Sequence, residues 1–509
     1  MAVTRAWVPF PMADDALVLR LNGADVPVPG ATPTTTLLHA LRSVGLVGTK
    51  EGCGDGDCGA CTVTVLAPGP DGVPAHRAVN SCLLPLGSVV GLDVVTVEGV
   101  AGPGRDGALH PVQQAMVDCA GSQCGYCTPG FVMSMYAGYH DPASRDETGL
   151  DADVVEGNLC RCTGYTSIRR ACARLGTAAG ERVAGGTAVP SPARSPVPAT
   201  VPSPGPGAAV VTAAGRTFHR PTALAQALAL MAAQPGATVL AGGTDLGLEL
   251  SHGTLAPQVT VSLESVAELQ RLRATTTHLQ VGAGVTLTRL EREAAGLLPA
   301  LDEMLRWFAA RQVRNRATLG GNLGTASPIG DLPPVLLALD ADVVLADAAG
   351  TRTVPVAEYF TGYRTTVRRP GEVVVRVDLP LGAGPGAATR LSRSYKVGKR
   401  GTDDISVVAA AFVVDLAADG TVVHARLAYG GVAATPVRAL ATEQALLGRR
   451  LDPATVAEVS GQLQRTFTPM DDHRGSAAYR SRLVGSLFEK FCAEHADRVP
   501  APTAVAVGA

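Results

Sequence analysis

Charge of either sign is missing in excess: 43 Lys and Arg stand against 45 Asp and Glu, a net of −2. A chain so near neutrality carries no electrostatic footprint for nucleic acid. Nowhere do about 18 apolar residues run together, so no transmembrane helix is predicted. The opening stretch, MAVTRAWVPFPMADD, lacks the long apolar segment of a signal peptide. The expectation is a soluble, cytoplasmic protein that binds neither nucleic acid nor membrane.

The chain has 509 residues and is 46% hydrophobic. That length exceeds one core and suggests about three or four domains. Residues 16–21 and 61–65 alternate as short strands, with a helix between them near 36–44. From about 110 to 182 the pattern is helical: Pro111 suits a first turn, Thr128-Pro129 reads as a cap followed by proline, and Ser167 could cap another helix. The stretch TAVPSPARSPVPATVPSPGPG then reads as a semi-rigid linker. Beyond it strands and helices alternate to about 385. Strands follow near 405–415 and 422–431, and helices near 440–447 and 476–494. The predicted segments are 1–99, 100–182, a linker at 183–216, 217–387, 388–498 and a tail at 499–509. The fold class is α+β, multidomain.

Eight of the eleven cysteines form two groups of four. In a chain without secretory features such groups point to metal rather than disulfides. Cys119, Cys172 and Cys492 are left over and read as buried thiols. Cys53, Cys58 and Cys61, with Cys82 after a hairpin's worth of chain, have the C-x4-C-x2-C…C spacing of a plant-type 2Fe–2S site. Interleaved glycines let that loop wrap closely around a cluster. Zinc usually takes two C-x2–4-C pairs, which this run is not. The second group is Cys124, Cys127, Cys160 and Cys162. Taken alone it also suits zinc. Each of its pairs lies just before a predicted helix, whose positive dipole end favours an anionic cluster.

Together, GCGDGDCGAC at 52–61, QCGYCTPG at 123–130 and GNLCRCTGY at 157–165 resemble the iron–sulfur part of the molybdenum hydroxylases, a family that includes xanthine dehydrogenase, aldehyde oxidase and carbon monoxide dehydrogenase. The resemblance implies a β-grasp ferredoxin domain and a four-helix domain, each with a 2Fe–2S cluster. It further implies that the second cluster faces a molybdopterin and that Gln123 contacts the pterin. Thr166-Ser167 stands where many members carry arginine or glutamine and then proline.

In the second half, Ala241-Gly242-Gly243-Thr244-Asp245 follows a short apolar strand, and a second glycine turn runs over 319–325 before Ala326-Ser327-Pro328. Such turns let backbone N–H groups approach a pyrophosphate. Gly282-Ala283-Gly284 lacks the third glycine of a dinucleotide fingerprint, since Leu287 takes its place, and reads as a tight turn. Both glycine turns, with Arg306-Trp307-Phe308-Ala309, resemble the FAD domain of the same family. That resemblance implies an α/β FAD-binding domain and a small α+β C-terminal domain. Gly321, Asn322, Thr325 and Ser327 would serve the flavin nucleotide, Phe308 would lie against the ring system, and Asp331 would bind near the ribose. Lys396 and Asp403 would sit near the flavin's reactive face, and Tyr363 near the nicotinamide side. Asp403 and Asp245 are candidates to attract cationic NAD. Lys399-Arg400-Gly401-Thr402 departs from the serine, two arginines and acidic residue more usual there.

The order cluster, cluster, FAD on one chain is similar to small subunits of two-subunit bacterial members. It implies an oxidoreductase subunit that relays electrons from a partner-held molybdopterin, in a heterotetramer of two small and two large subunits. By that likeness the substrate is a purine and the final acceptor NAD. An aldehyde or N-heterocycle hydroxylase with another acceptor, and a zinc-stabilised scaffold without redox function, are the competing readings.

Overall fold

Leu17, Leu19 and Leu21 turn inward while Val18 faces out, so the first alternating run is a strand, Leu17–Leu21. It pairs antiparallel with Ala24–Val28 and parallel with Asp93–Val95. The sheet continues through Thr62–Pro68 to Pro74–Asn80. The helix Leu37–Ser43, capped by Thr36, buries Leu37, Leu38 and Leu41. A mixed five-stranded sheet grasping one helix is the predicted ferredoxin-like domain. The computed structural model describes residues 16–68, 73–101, 108–176 and 209–499, so the N-terminal stretch, most of the predicted linker and nearly all of the predicted tail lie outside the described residues.

The helical domain comprises Pro111–Asp118, Thr128–Tyr139, Thr166–Ala173 and the 3-10 turn Ala152–Val155. Val112, Met116, Phe131, Met135, Ile168 and Cys172 share its core. Two expected caps shift. Cys127, not Thr128, precedes the second helix, and Tyr165, at φ +65°, precedes the third instead of Ser167 capping it. Thr128 is itself the first helical residue, and its hydroxyl donates to Ser122, six residues upstream.

The linker also ends sooner than predicted. Ala209–Ala213 and Arg216–Arg220 form a hairpin whose first strand lies inside the expected 183–216 span. The alternation of Val211 and Ala213 inward with Val210 outward marks a strand. Arg220, buried, donates to the carbonyl of Val90 at 3.1 Å, and Phe218 packs where a Gly87 side chain would stand. The described residues up to Arg220 therefore join Gly236–Val239 and Gly243–Ser262 in one compact unit.

A second unit comprises Pro221–Pro235, Leu240–Gly242 and the chain from Leu263. It holds an antiparallel sheet in the order Leu272–Ala274, His278–Gly282, Val373–Pro380, Asp342–Asp347, Gly350–Pro355. It also holds an antiparallel sheet of Thr389–Val397, Val408–Leu416, Val422–Gly430 and Val437–Arg438. Ala477–Glu494 covers this second sheet, with Phe488 and Phe491 packing on Phe412 at 6.0 and 5.4 Å between ring centroids. The helix Pro453–Leu463, absent from the sequence expectations, is capped by Asp452. No helix among the described residues is long and apolar enough to cross a membrane.

One packing feature carries a pH dependence. His76 stands edge-on to Tyr136 at 5.0 Å and lies 4.9 Å from His140, whose other imidazole neighbour is His110. Burial, aided by His140, pushes the His76 imidazole down to about 3. The unfolded residue takes a proton near its ordinary value, about 6.5, whereas the folded one refuses it. Stability is therefore whole above that value and falls as pH drops below it, by about 1.4 kcal/mol per unit for this group. Urea unfolding at about pH 7.5 and about pH 5.5 should show the loss, and His76→Gln should remove most of it. An equal loss in the variant would place the acid sensitivity elsewhere.

Candidate functional site

The first four thiols arise from two local devices. Gly52 and Gly59 allow the loop to close: a Cβ on Gly52 would fall 2.6 Å from the Cys58 sulfur, and Gly59, at φ +64°, would strike the Gly157 carbonyl at 2.1 Å. The hairpin from Cys61 then returns Cys82, so that the Cys61 and Cys82 sulfurs lie 3.3 Å apart. The backbone N–H groups of Asp55 and Cys58 donate to the Cys53 sulfur at 3.3 and 3.4 Å. The Cys58 thiol at its side and those N–H donors lower Cys53 to about 5.

In the second group the Cys162 and Cys124 sulfurs are 3.6 Å apart, and Cys127 lies beside Cys160. Burial raises Cys127 to about 12. Against its own partial burial, Cys160 is lowered to about 7 by hydrogen bonds from Thr163. The Thr163 hydroxyl lies 3.0 Å from the Cys160 sulfur.

Among the described residues no three His, Cys, Asp or Glu side chains converge as a single-ion site. In the first group the thiols come in pairs, and a two-iron cluster takes two thiolates at each iron. In the second, Cys162 lies 3.6 Å from Cys124 and 3.9 Å from Cys160. Four thiols in each group are a donor set that fits a 2Fe–2S cluster. Of the remaining cysteines, Cys172 and Cys492 are buried and raised to about 12 by burial, while Cys119 is only half-buried. Gln123 is exposed beside Cys124.

A junction that sequence reasoning did not single out stitches the two groups together. Leu159 donates its N–H to the Cys58 carbonyl at 3.0 Å, and the Asn158 amide donates to the Gly59 carbonyl at 2.9 Å. Ser134 orients that amide through a 2.6 Å bond to its oxygen. Asn158 looks like an ordinary polar residue in the sequence, because its partners lie 24 and 99 positions away.

Replacing Cys58 with serine is expected to lower iron from about four to about two per chain and to erase one of two paramagnetic signals. Two surviving signals would contradict the pairing, and a colourless protein holding zinc would restore the scaffold reading.

The flavin candidates rest on other devices. The short strand Thr238–Leu240 leads into the Gly242-Gly243 turn, and the helix Leu246–Ser251 follows. Gly243 has φ +76°. A Cβ on Gly242 would lie 1.9 Å from the Arg316 carbonyl. Thr244 is half-buried and Asp245 exposed. The expected second turn is instead a helix, Leu319–Thr325. Its three glycines are poor helix formers. Thr318 nevertheless caps it through the Gly321 N–H at 3.0 Å, and Gly320 packs where a Cβ would lie 2.5 Å from that of Ala283. Gly321 approaches Ala241, its would-be Cβ 3.8 Å away. The Asn322 side-chain oxygen is buried with no protein partner, and Thr325 and Ser327 are half-buried nearby in sequence. A glycine-lined segment with an unsatisfied buried acceptor fits a nucleotide, whose hydroxyl or amino groups can donate.

Phe308 is half-buried rather than a core aromatic. Its loop is held by two buried cations. Arg314 donates to the carbonyls of Phe308 and Ala309, both at 2.8 Å, and Lys396 donates to that of Trp307 at 3.1 Å. Ala309 is thereby kept at φ +42°. Lys396 also pairs with Asp331 at 2.8 Å, whose other oxygen accepts from Ser406 at 2.5 Å. Each Asp331 oxygen thus accepts one hydrogen bond from protein. Asp403 is only 7% exposed, and its carbonyl accepts from Arg400. Tyr363 is exposed on the turn after Phe360–Gly362. Arg314 escaped notice because RQVRNR reads as a basic surface run.

Comparisons with known proteins agree with this arrangement. A 2Fe–2S iron–sulfur cluster binding domain matches residues 19–86, and a [2Fe–2S] binding domain matches 96–173. The FAD binding domain of molybdopterin dehydrogenase matches 212–382, and the CO dehydrogenase flavoprotein C-terminal domain matches 393–495. The chain is 32% identical to xanthine dehydrogenase of Emericella nidulans, over 96% of this chain and 39% of that protein. It is 33% identical to xanthine dehydrogenase/oxidase of Gallus gallus, over 94% and 40%. It thus spans about two fifths of the length of these relatives. Among solved structures it is similar to quinoline 2-oxidoreductase from Pseudomonas putida 86, at 28% identity and TM-score 0.52, over 56% of this chain and 98% of that one. A carbon monoxide dehydrogenase from Hydrogenophaga pseudoflava matches at 30% and 0.51, over 54% and 94%. With four successive domain models matched in the order the cysteine and glycine motifs predict, the chain belongs to the molybdenum hydroxylase family as its iron–sulfur and FAD-binding portion.

Proposed function

We propose that this chain relays electrons in a xanthine dehydrogenase, from a molybdopterin held by a large partner subunit to NAD. The observation that carries the relay is the 3.0 Å hydrogen bond from Leu159, next to Cys160, to the carbonyl of Cys58, because it joins the two ligand sets by a short covalent and hydrogen-bonded path. When bound, the clusters supply one-electron exchange and FAD converts it to hydride chemistry. The chain's own residues hold and tune these groups: N–H donors on the Cys53 sulfur, Thr163 on Cys160, and the Lys396–Asp331 and Arg314 anchors behind Phe308. Exposed Gln123, Cys124 and Cys162 mark the face for the molybdenum subunit, and two copies of each subunit form the assembly. The compartment is the cytoplasm.

The test uses the full chain loaded with cofactors. It should oxidise NADH with a dye as acceptor, and hydroxylate hypoxanthine only when the large subunit is added. Purine hydroxylation by the chain alone, with contamination excluded, would overturn this division of labour.

A second reading is favoured by the acceptor loop. The partly exposed Asp404 carboxylate accepts the N–H groups of Arg400 and Ile405, at 2.8 and 2.9 Å, within its own turn. Asp403 is buried and the Asp404 oxygens are taken up by the turn's own N–H groups, which weakens the case for a carboxylate facing a cationic nicotinamide. In this reading the partner oxidises an aldehyde or N-heterocycle and the acceptor is not NAD. Steady-state turnover with NAD against dye or oxygen separates the two.

A further inference from the structure

The Leu246–Ser251 helix has a second partner besides the glycine turn that precedes it. It lies in the same compact unit as the first cysteine group and touches that group on both sides. Gly247 meets the Leu83 backbone so closely that a Cβ would lie 2.2 Å from the Leu83 carbonyl oxygen, one residue past Cys82. Leu248 packs on the small core formed by Leu38, Cys61, Cys82 and Leu83. At the helix's far end the Ser251 hydroxyl donates to the Gly54 carbonyl at 2.8 Å, and the His252 imidazole meets the Asp55 carboxylate at 2.7 Å. Gly54 and Asp55 lie inside the Cys53–Cys58 loop, and the Asp55 N–H is one of the donors to the Cys53 sulfur. At the near end, Gly247 donates its N–H to the Gly243 carbonyl at 2.7 Å.

We propose that Gly247, Leu248, Ser251 and His252 are positioning residues for the first cluster. The helix that begins at the glycine turn clamps the Cys53–Cys58 loop to the Cys82 turn. This rests on the reading of Cys53, Cys58, Cys61 and Cys82 as cluster ligands.

The physical case is one of leverage. An exposed contact such as that of the His252 imidazole with the Asp55 carboxylate contributes little stability. Here, however, it holds the residue whose N–H faces a ligand sulfur, and hydrogen bonds to ligand sulfurs are among the determinants of a cluster's potential. Reduction adds negative charge, so a carboxylate introduced at 252 should make it harder. Its repulsion of Asp55 would also loosen the N–H to Cys53.

The experiment is a potentiometric titration of the full, cofactor-loaded chain, followed by electron paramagnetic resonance, on the wild type, His252→Glu and Ser251→Ala/His252→Glu. Iron should stay at about four per chain in all three. One cluster should titrate at a lower potential with an altered signal, further in the double variant, while the other cluster is unmoved. Gly247→Val tests the other grip and should disturb that same cluster or lose it. Unmoved signals in loaded variants, or equal shifts of both clusters, would overturn the proposal while leaving the cofactor assignment intact. Absence of iron from the wild type would instead remove the assignment and the proposal with it.

Discussion

Gly242→Val should yield a chain that purifies with its iron and without its flavin. The added Cβ would stand 1.9 Å from the Arg316 carbonyl oxygen and 3.0 Å from the Ala317 Cα, so the obstacle is backbone rather than a movable side chain. Arg316 is itself tied back, donating to the Gly242 carbonyl at 3.3 Å and pairing with Glu264. Overpacking in such places costs about 1–3 kcal/mol, or more, and is relieved by displacing the turn. Gly243→Val is expected to do less. That position needs a left-handed backbone, at φ +76°, which costs a branched residue about 1–2 kcal/mol. The flavin-to-iron ratio measures both; for Gly242→Val iron serves as an internal control, because the cysteine groups lie in the other compact unit, whereas Gly243 shares theirs. A normal ratio in the Gly242→Val protein would show that the turn does not hold the nucleotide.

Lys396→Met should destabilise the second unit by about 3–5 kcal/mol, the usual consequence of leaving one member of a buried ion pair alone. The Lys396 side chain is 3% exposed and that of Asp331 10%, and they meet at 2.8 Å. The substitution also strips a donor from the Trp307 carbonyl, just before Phe308. Flavin affinity should therefore fall as stability falls. In the double variant Lys396→Met/Asp331→Asn the stranded charge is gone, and stability should recover in part. Phe308 should remain loose, because nothing replaces the bond to Trp307. Urea unfolding gives the first quantity and flavin retention the second. If the double variant were no more stable than Lys396→Met, stranded charge would not be the cause. Flavin binding that tracked stability exactly as in a remote destabilised variant would deny Lys396 its anchoring role.

The two 2Fe–2S domains were legible because their cysteine spacing is written at short range. A C-x4-C-x2-C run can be read without knowing the fold, and the hairpin that returns Cys82 announces itself by alternation from Thr62. The order of domains was legible for the same reason, each motif being local. The segment at 319–325 was misread as a turn because glycine content argues against helix locally. The Thr318 cap and the close approach of Gly320 to Ala283 decide otherwise. The partners of Asp331 were not legible, since Lys396 and Ser406 lie 65 and 75 positions on.

What the sequence determined by itself was the chemistry: eight thiols in two spaced groups, two glycine-rich segments and the strand and helix periods around them. What the tertiary structure alone decided was how those pieces constrain one another. Asn158 on Gly59, Arg314 beneath Phe308, and Ser251 with His252 on the Cys53–Cys58 loop all depend on contacts between distant segments. A side chain's period reports which face it occupies, and a motif reports what it can bind. Neither reports which remote carbonyl lies within 3 Å, because that distance is set by the packing of whole elements, to which every residue of the core contributes a little.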